Sequence, residues 1–292
     1  ARMARFDLLR PVNFLAAMIT RWTRGCDKAL WKLVSWIHTT ADVTMIAYCG
    51  DELAKIVPRL YADADFAGCP FTARSTTGVY FAMVGPNTHV PISALSKRQT
   101  AVSHSTPEAE MVAASMALRT VAIPNYELLR FIFQESDPKI RQKVCPKVML
   151  MEDNEATESI LKTGKNPTLR HVQRTHRVNI AWLHEQYVDG WVVVERCETD
   201  DQAANVFTKG FTDVLKWQHA CSLINLHFGS KVGVKGGPVA FVFGIPQKAA
   251  GSCSNQVGPE EHRLSAADRG PEERRLSEAR VGPEERRLSV AT

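Results

Sequence analysis

Three acidic residues lie in or beside apolar stretches of this chain. Asp63 falls in the run RLYADADFAG, whose alternating side chains predict a β-strand. Glu110 lies one turn into a predicted helix that opens HSTPEAEMVAAS, and Asp153 ends a second apolar run, KVMLMEDNEA. A strand, a helix and a strand end can bring three carboxylates to one edge of a mixed sheet. Carboxylates held together repel one another unless cations share them, and oxygen-rich acidic sites suit Mg²⁺.

Each of these acids also has a simpler structural explanation. Glu110 fits a first-turn acid favoured by the helix dipole. Asp153 fits a cap at a strand-to-helix junction. Asp63 is harder to dismiss, because aspartate is depleted in strands. Taken together, the three carboxylates indicate a metal-assisted phosphodiester hydrolase.

Composition limits the other classes of function. The chain has 292 residues, 45% of them hydrophobic, which suffices for one large domain or two modest ones. A net charge of +5 is compatible with a polyanionic partner. Its seven cysteines are scattered without a C-x-x-C pair, which predicts neither a zinc site nor a disulfide framework. We therefore expect a reducing, intracellular location, cytoplasmic or nuclear.

No apolar run approaches the ~20 residues that span a bilayer, so no membrane association is expected. The chain begins at Ala1 rather than methionine, which suggests a piece of something longer.

The chain divides by pattern into four parts. Residues 1–50 predict two amphipathic helices, and residues 55–226 a globular domain. Residues 227–257 are Gly-rich and predict a linker. Residues 258–292 repeat GPEERRLS-like units with a period of twelve and predict disorder. Two Arg-Arg-Leu-Ser sequences in the repeats resemble phosphorylation sites, although a drifting repeat without function explains them as well.

Within the globular part, the pattern predicts an α/β or α+β protein with a mixed sheet. Three antiparallel strands begin near Ile56, and a long helix follows, capped by Ser105 with Glu108 in a capping box. Pro124 is expected to break or kink this helix. The later predicted elements are a strand at 147–152, helices at 153–163 and 175–187, a strand at 190–197 and a short helix at 201–208.

A basic stretch lies between Glu158 and Glu185, where no acidic residue occurs. Its charge suits contact with phosphates, although a solvated basic loop is the simpler alternative. The cations assigned to nucleic-acid contact here are Lys162, Lys165, Arg170, Arg174 and Arg177.

Five ordered motifs closely resemble the ribonuclease H domain of copia-type retrotransposon polyproteins. They are YADADFAG, RSTTGVYF, ALSKRQTAVSHSTPEAEMVA, MEDNEA and DDQAANVFTKGF, spread over about residues 56–226. Relatives have runs such as Y-S-D-A-D-W-A-G, S-[ST]-x-E-A-E-Y and D-N-Q-[SA] at these places. Residues 7–48 weakly resemble the segment that joins the reverse transcriptase to this domain.

The resemblance implies a ribonuclease H-like, five-stranded mixed sheet flanked by helices. It also implies hydrolysis of the RNA strand of RNA–DNA hybrids with two Mg²⁺ or Mn²⁺ ions. Asp63, Glu110 and Asp153 carry over as metal carboxylates. We interpret Asp65 as a structural or supporting residue rather than a ligand. Arg74, Lys97 and Arg98, which lie within the same motifs, are assigned to nucleic-acid contact. The implied partners are an RNA–DNA hybrid and the reverse transcriptase portion of a parent polyprotein.

The chain departs from the family at two places. Asn205 stands where the family has a fourth catalytic carboxylate, so it is assigned as a fourth catalytic residue and weakened rather than absent activity is expected. The usual T-K-H-I-D is Thr175 to Asn179 here. No reverse transcriptase catalytic segment is present in the sequence. A catalytically weak or inactive nucleic-acid-binding module derived from such an element is therefore the alternative.

Overall fold

A computed structural model describes residues 4–135 and 146–228 of the chain. The predicted disordered repeats at 258–292, and all but the first two residues of the predicted linker at 227–257, lie outside the described residues.

The N-terminal segment is helical, as its amphipathic pattern predicts. A single 3₁₀ turn at Phe6–Leu8 leads into α1 (Leu9–Ala16), and α2 spans Arg24–Thr39. Two short strands follow, β1 (Thr44–Met45) and β2 (Tyr48–Cys49).

The meander predicted after Ile56 is present. It consists of β3 (Val57–Asp65), β4 (Thr76–Gly85) and β5 (Thr88–Arg98). Helix α3 (Thr106–Ala117) begins where predicted, and the Ser105 hydroxyl accepts the Glu108 backbone N–H at 3.3 Å. The Glu108 carboxylate accepts instead from the backbone N–H of His104, one residue before the cap.

Pro124 does not break the helical path. One π-helical turn at Leu118–Ala122 joins α3 directly to α4 (Ile123–Glu135), so Pro124 lies in the first turn of α4. The wider π-helical turn before it accommodates the proline, whose ring and missing N–H would disrupt a regular α-helical turn.

The rest of the domain alternates helices with strands. The elements are β6 (Val148–Glu152), α5 (Glu155–Thr163), α6 (Val172–Thr175), α7 (Ile180–Val188), β7 (Val192–Arg196), α8 (Asn205–Thr208), α9 (Val214–Leu223) and β8 (Leu226–His227). The helix predicted over 175–187 is thus divided between α6 and α7.

The strands form a six-stranded mixed sheet in the order β2-β5-β4-β3-β6-β7. The β3–β4, β4–β5 and β2–β5 pairs are antiparallel, whereas β3–β6 and β6–β7 are parallel. The predicted mixed sheet flanked by helices is confirmed. Its sixth strand is the two-residue β2, which pairs with the start of β5 and is too short to give a sequence signal.

Apolar side chains cover both faces of the sheet. One core joins the sheet to α3, α5 and α7. The other joins it to α8, α9 and the N-terminal segment, where Phe6 packs edge-on against Tyr80 with ring centroids 6.4 Å apart. The N-terminal segment is therefore part of the packed domain. None of the helices in 4–135 and 146–228 has the length and apolar character that a bilayer crossing requires.

Candidate active site

One edge of the sheet collects the acidic residues. Strands β3 and β6 are parallel neighbours, and their last paired residues are Tyr61 and Met151. Asp63 and Asp153 each follow that pair by two residues. The parallel register thus brings the carboxyl ends of both strands to one edge, as the sequence predicts.

Asp63 is buried, with 2% of its surface exposed. The Thr208 hydroxyl donates to its Oδ2, and the Lys209 Nζ lies 3.6 Å from its Oδ1. Burial raises the pKa of Asp63, Asp153 raises it further, and Lys209 and Thr208 oppose the rise. The site therefore already places one positive charge beside its central carboxylate.

The contact between Thr208 and Asp63 depends on a glycine. Gly78 pairs with Asp63 across the β3–β4 ladder. A Cβ at Gly78 would lie 2.7 Å from the Ala204 carbonyl oxygen and 2.7 Å from the Thr208 Cγ2. Helix α8 can therefore lie directly on β4 only because this position lacks a side chain.

Glu110 reaches the same place from helix α3. It is 4% exposed, and its Oε2 is buried without a hydrogen-bond partner among the described residues. Burial raises its pKa to about 11, and the charges of Asp63, Glu152 and Asp153 add to the rise. These influences show that the three predicted carboxylates share one electrostatic environment.

Glu152 is a fourth acid that the sequence interpretation missed. It is buried, its Oε2 has no hydrogen-bond partner in the described part of the chain, and its Oε1 accepts from the Asn154 backbone N–H at 3.3 Å. Burial raises its pKa well above the usual value, and Asp153 raises it further. Its position as the last residue of a buried strand, directly before Asp153, is a signal that could have identified it.

Gln202 is a second missed residue. Its buried Nε2 donates to the Ala62 carbonyl oxygen at 3.1 Å and to the Met151 carbonyl oxygen at 3.2 Å. It therefore links β3 to β6 just before Asp63 and Glu152. Gln202 is a single glutamine in a polar stretch, and no pattern in the sequence predicts that it links two strands.

Asn205 begins helix α8. Its Nδ2 donates to the Thr199 carbonyl oxygen at 2.7 Å, whereas its Oδ1 is buried with no hydrogen-bond partner among the described residues. The amide thus closes the turn that leads into α8 and leaves one oxygen unused.

Asp65 has structural contacts. It accepts a hydrogen bond from the Thr76 backbone N–H, and it faces the charge of Arg10. Burial raises its pKa to about 7 despite these contacts. Arg10 also donates to the Thr208 carbonyl oxygen at 2.8 Å, so α1 braces the residue that contacts Asp63.

The side chains of this site have the donor atoms that a divalent ion prefers. The donors are oxygens only, which Mg²⁺ and Mn²⁺ prefer, and Glu110 and Glu152 each keep a buried free oxygen. No three acidic, histidine or cysteine side chains of the described residues already surround a point at which an ion could be held.

The predicted nucleic-acid contacts fall into two groups. Lys97 and Arg98 end β5 opposite Thr77 and Thr76, and Arg74 precedes β4, so all three lie at the sheet edge that carries Asp63. The second group lies in the basic segment, residues 162–177. There Lys165, Arg170, Arg174 and Arg177 are exposed, whereas Lys162 pairs with Glu158 at 2.6 Å.

The fold and site together define a mixed α/β protein with buried carboxylates at the carboxyl ends of two parallel strands. No protein-family model matches the chain. Among solved structures it is similar to LC11-RNase H1, isolated from compost by a metagenomic approach. The identity is 14%, the match covers 53% of this chain and 92% of that one, and the TM-score is 0.29.

Proposed function

We propose that this protein is a metal-dependent ribonuclease H, an endonuclease that hydrolyses the RNA strand of RNA–DNA hybrids. The motifs of the sequence suggest a copia-type retrotransposon polyprotein as its origin. An intracellular site of action and a reverse transcriptase partner belong to the same proposal.

The observation that carries the proposal is the environment of Glu110. A buried carboxyl group with a free oxygen and three acidic neighbours is unfavourable in its charged form unless a cation is supplied. Apolar or amide side chains would be more stable in this place. A site that keeps these acids together is suited to capture divalent ions.

Asp63, Glu110 and Asp153 would hold two Mg²⁺ or Mn²⁺ ions, with Glu152 beside them. Bound ions at such a site supply an activated water and stabilise the leaving oxygen of a phosphodiester. The protein's own residues orient the site: Thr208 fixes one oxygen of Asp63, and Gln202 holds β3 against β6.

Lys209 has a role before substrate arrives. Its ammonium lies beside Asp63 and reduces the cost of keeping that carboxylate charged. Its side chain is 40% exposed, so it can move toward solvent or toward a phosphate when ions enter.

Substrate contact would come from the cations at the sheet edge, Arg74, Lys97 and Arg98, and from the exposed cations of the basic segment. Contacts of this kind bind backbone phosphates without reading sequence. Discrimination of RNA from DNA would then rest on the 2′-hydroxyl.

Cleavage of labelled substrates tests the proposal. An RNA–DNA hybrid, a DNA duplex and an RNA duplex are each incubated with Mg²⁺, with Mn²⁺ and with EDTA. Cleavage of the hybrid's RNA strand with metal alone is expected, together with its loss in Glu110→Gln and in Asp153→Asn. Glu127→Gln is the matched control, because Glu127 is exposed on α4 and pairs only loosely with Arg130, at 3.8 Å. Equal cleavage by Glu110→Gln and the wild type would contradict the proposal.

The alternative, a hybrid-binding module with little or no catalysis, is favoured by Asn205. An amide there removes one negative charge from a site that must balance two dications. Hybrid binding by fluorescence anisotropy without cleavage in either metal would support this alternative.

A further inference from the structure

We propose that Glu108 is a positioning residue for substrate: through His171 and His176 it holds the basic segment against helix α3. The segment's cations would thereby take a fixed place relative to Glu110, two residues further along the same helix. This inference rests on the proposed function only for the identity of the bound partner.

The contacts of Glu108 are directed at the basic segment. Its Oε1 lies 3.0 Å from the His176 Nε2, and its Oε2 lies 3.2 Å from the His171 Nε2. The backbone N–H of His104 donates to the same Oε2 at 2.8 Å. The rings of His104 and His171 meet edge-on with centroids 5.5 Å apart. One carboxylate therefore joins the start of α3 to two points of the segment, five residues apart.

These groups are enclosed. The side chain of Glu108 is fully buried and that of His176 is 1% exposed. An imidazole nitrogen that faces a carboxylate oxygen at about 3 Å must carry a proton for the contact to be attractive. Neither histidine contact is aligned as a hydrogen bond, because the Glu108 Oε1 and the Nε2 atoms of both histidines have no hydrogen-bond partner in the described part of the chain. The attraction is therefore electrostatic, between a buried carboxylate and a nearby N–H, and burial makes it stronger than it would be in water.

A purely structural anchor already exists nearby. Leu169, Val172 and Val178 are buried in the core that contains α3. These apolar contacts help to keep the segment folded, but they are non-directional. The Glu108 contacts add two fixed points, since they hold His171 and His176, which lie on either side of the exposed Arg174, within 3.2 Å of one carboxylate. A fixed Arg174 meets a phosphate at a smaller entropic cost than a mobile one.

Hydrogen exchange measured by mass spectrometry on the full chain tests whether the cluster holds the segment. The reporters are the amides of Arg174, Thr175 and His176, which bond to the carbonyl oxygens of His171 and Val172. Glu108→Gln and His171→Asn are each expected to speed exchange there by about tenfold while β4 keeps its protection. His171 is 40% exposed, so its substitution does not threaten folding.

His219→Asn is the matched control, because His219 is similarly exposed and lies on α9. It is expected to leave exchange in 172–176 unchanged. Unchanged exchange in either Glu108→Gln or His171→Asn, or loosening that includes β4, would overturn the proposal.

Affinity for a fluorescein-labelled RNA–DNA hybrid in EDTA tests the positioning role. Glu108→Gln is expected to weaken binding about fivefold, and Arg174→Ala to weaken it less in Glu108→Gln than in the wild type. Additive effects would show that Glu108 does not act through Arg174. If the wild type does not bind the hybrid at all, the proposed function fails, while the exchange experiment still decides whether Glu108 holds the segment.

Discussion

The Lys209 ammonium lies 3.6 Å from the Asp63 carboxylate, so a partly exposed cation compensates a carboxylate that is 2% exposed. The adjacent Thr208 hydroxyl binds the other oxygen of the same carboxylate. Two consecutive residues at the end of α8 thus complete the charge balance of a strand residue.

Removing this cation is expected to destabilise the metal-free protein. Lys209→Met takes away the interaction that lowers the pKa of Asp63, so that pKa rises further. The expected loss is about 1 kcal/mol at pH 8, modest because Lys209 is partly exposed. It should be smaller at pH 4 than at pH 8, because the pKa of Asp63 is raised and a larger share of its carboxyl group is protonated at the lower pH. Urea unfolding at both pH values measures it, with the exposed Lys216→Met as the control; an equal loss at both pH values would contradict the charge explanation.

The pH dependence of stability follows from the raised pKa values. A carboxyl group whose pKa is higher in the folded state stabilises the fold fully below its unfolded pKa and loses that contribution as pH rises through its folded pKa. Asp65 loses its contribution to stability as the pH rises from 3.8 to about 7, the two pKa values of this group. Glu110 loses its contribution over a range that extends to about pH 11. The metal-free protein should therefore have a higher thermal midpoint at pH 5 than at pH 8.

Mg²⁺ is expected to reverse this loss, because it binds the ionised carboxylates of the folded state. Its addition should raise the midpoint more at pH 8 than at pH 5, and Glu110→Gln should reduce the difference. Differential scanning fluorimetry at both pH values checks this, and Glu127→Gln serves as the control. Equal shifts at both pH values would show that the acidic cluster does not bind the ion.

Gly78→Ala is expected to separate α8 from β4. The new Cβ would overlap the Ala204 carbonyl oxygen and Thr208, and overpacking of this kind costs roughly 1–3 kcal/mol. Because Thr208 would then leave Asp63, cleavage should fall even at temperatures where the protein stays folded. Gly25→Ala is the control, since its Cβ would meet only one atom, at 3.4 Å, within a helix. Unchanged stability in Gly78→Ala would contradict the close approach.

Asn205→Asp is expected to raise the cleavage rate and to lower the Mg²⁺ concentration needed, because it restores a negative charge. It should also cost about 1–2 kcal/mol of stability, because the Asn205 Nδ2 that donates to Thr199 is lost. Steady-state cleavage over a Mg²⁺ titration and urea unfolding measure the two effects separately. Asn179→Asp, at the start of α7, controls for added charge at a helix N-terminus. If the Mg²⁺ dependence stays the same, residue 205 does not face the ions.

The N-terminal segment is expected to be required for stability. Phe6 is buried against Tyr80, so Phe6→Ala should cost about 3–5 kcal/mol. Trp31→Ala, at a position 74% exposed on α2, is the control and should change little. Thermal unfolding of the full chain compares them. A small loss for Phe6→Ala would mean that the segment folds apart from the sheet.

Local signals in the sequence predicted most of the fold. The change from a period of 3.6 to a period of two marked β3 to β5, and Ser105 marked the start of α3. The helix break predicted at Pro124 is absent, because the π-helical turn at Leu118–Ala122 lets the helical path continue. The pairing of β2 with β5 depends on residues about 40 positions further along the chain, so it has no local signal.

The site was predicted only in part, because some of its residues also act through long-range contacts that have no local signal. Asp63, Glu110 and Asp153 stood out as acids in apolar surroundings, and the structure brings them into one electrostatic environment. Gln202 and Thr208 act through single hydrogen bonds to distant strands, which no spacing in the sequence encodes. Whether the acids bind metal stays a prediction.

The hydrogen bond from Arg10 to the Thr208 carbonyl oxygen has a consequence for folding during translation. The two residues are 198 positions apart, and Asp63 precedes Thr208 by 145. On a growing chain, Asp63 and α1 leave the ribosome long before their partners are made, and such distant contacts form late. The carboxylate edge is therefore completed only when nearly all of the domain has been translated, and a nascent chain shorter than this carries an Asp63 that still lacks Thr208 and Lys209.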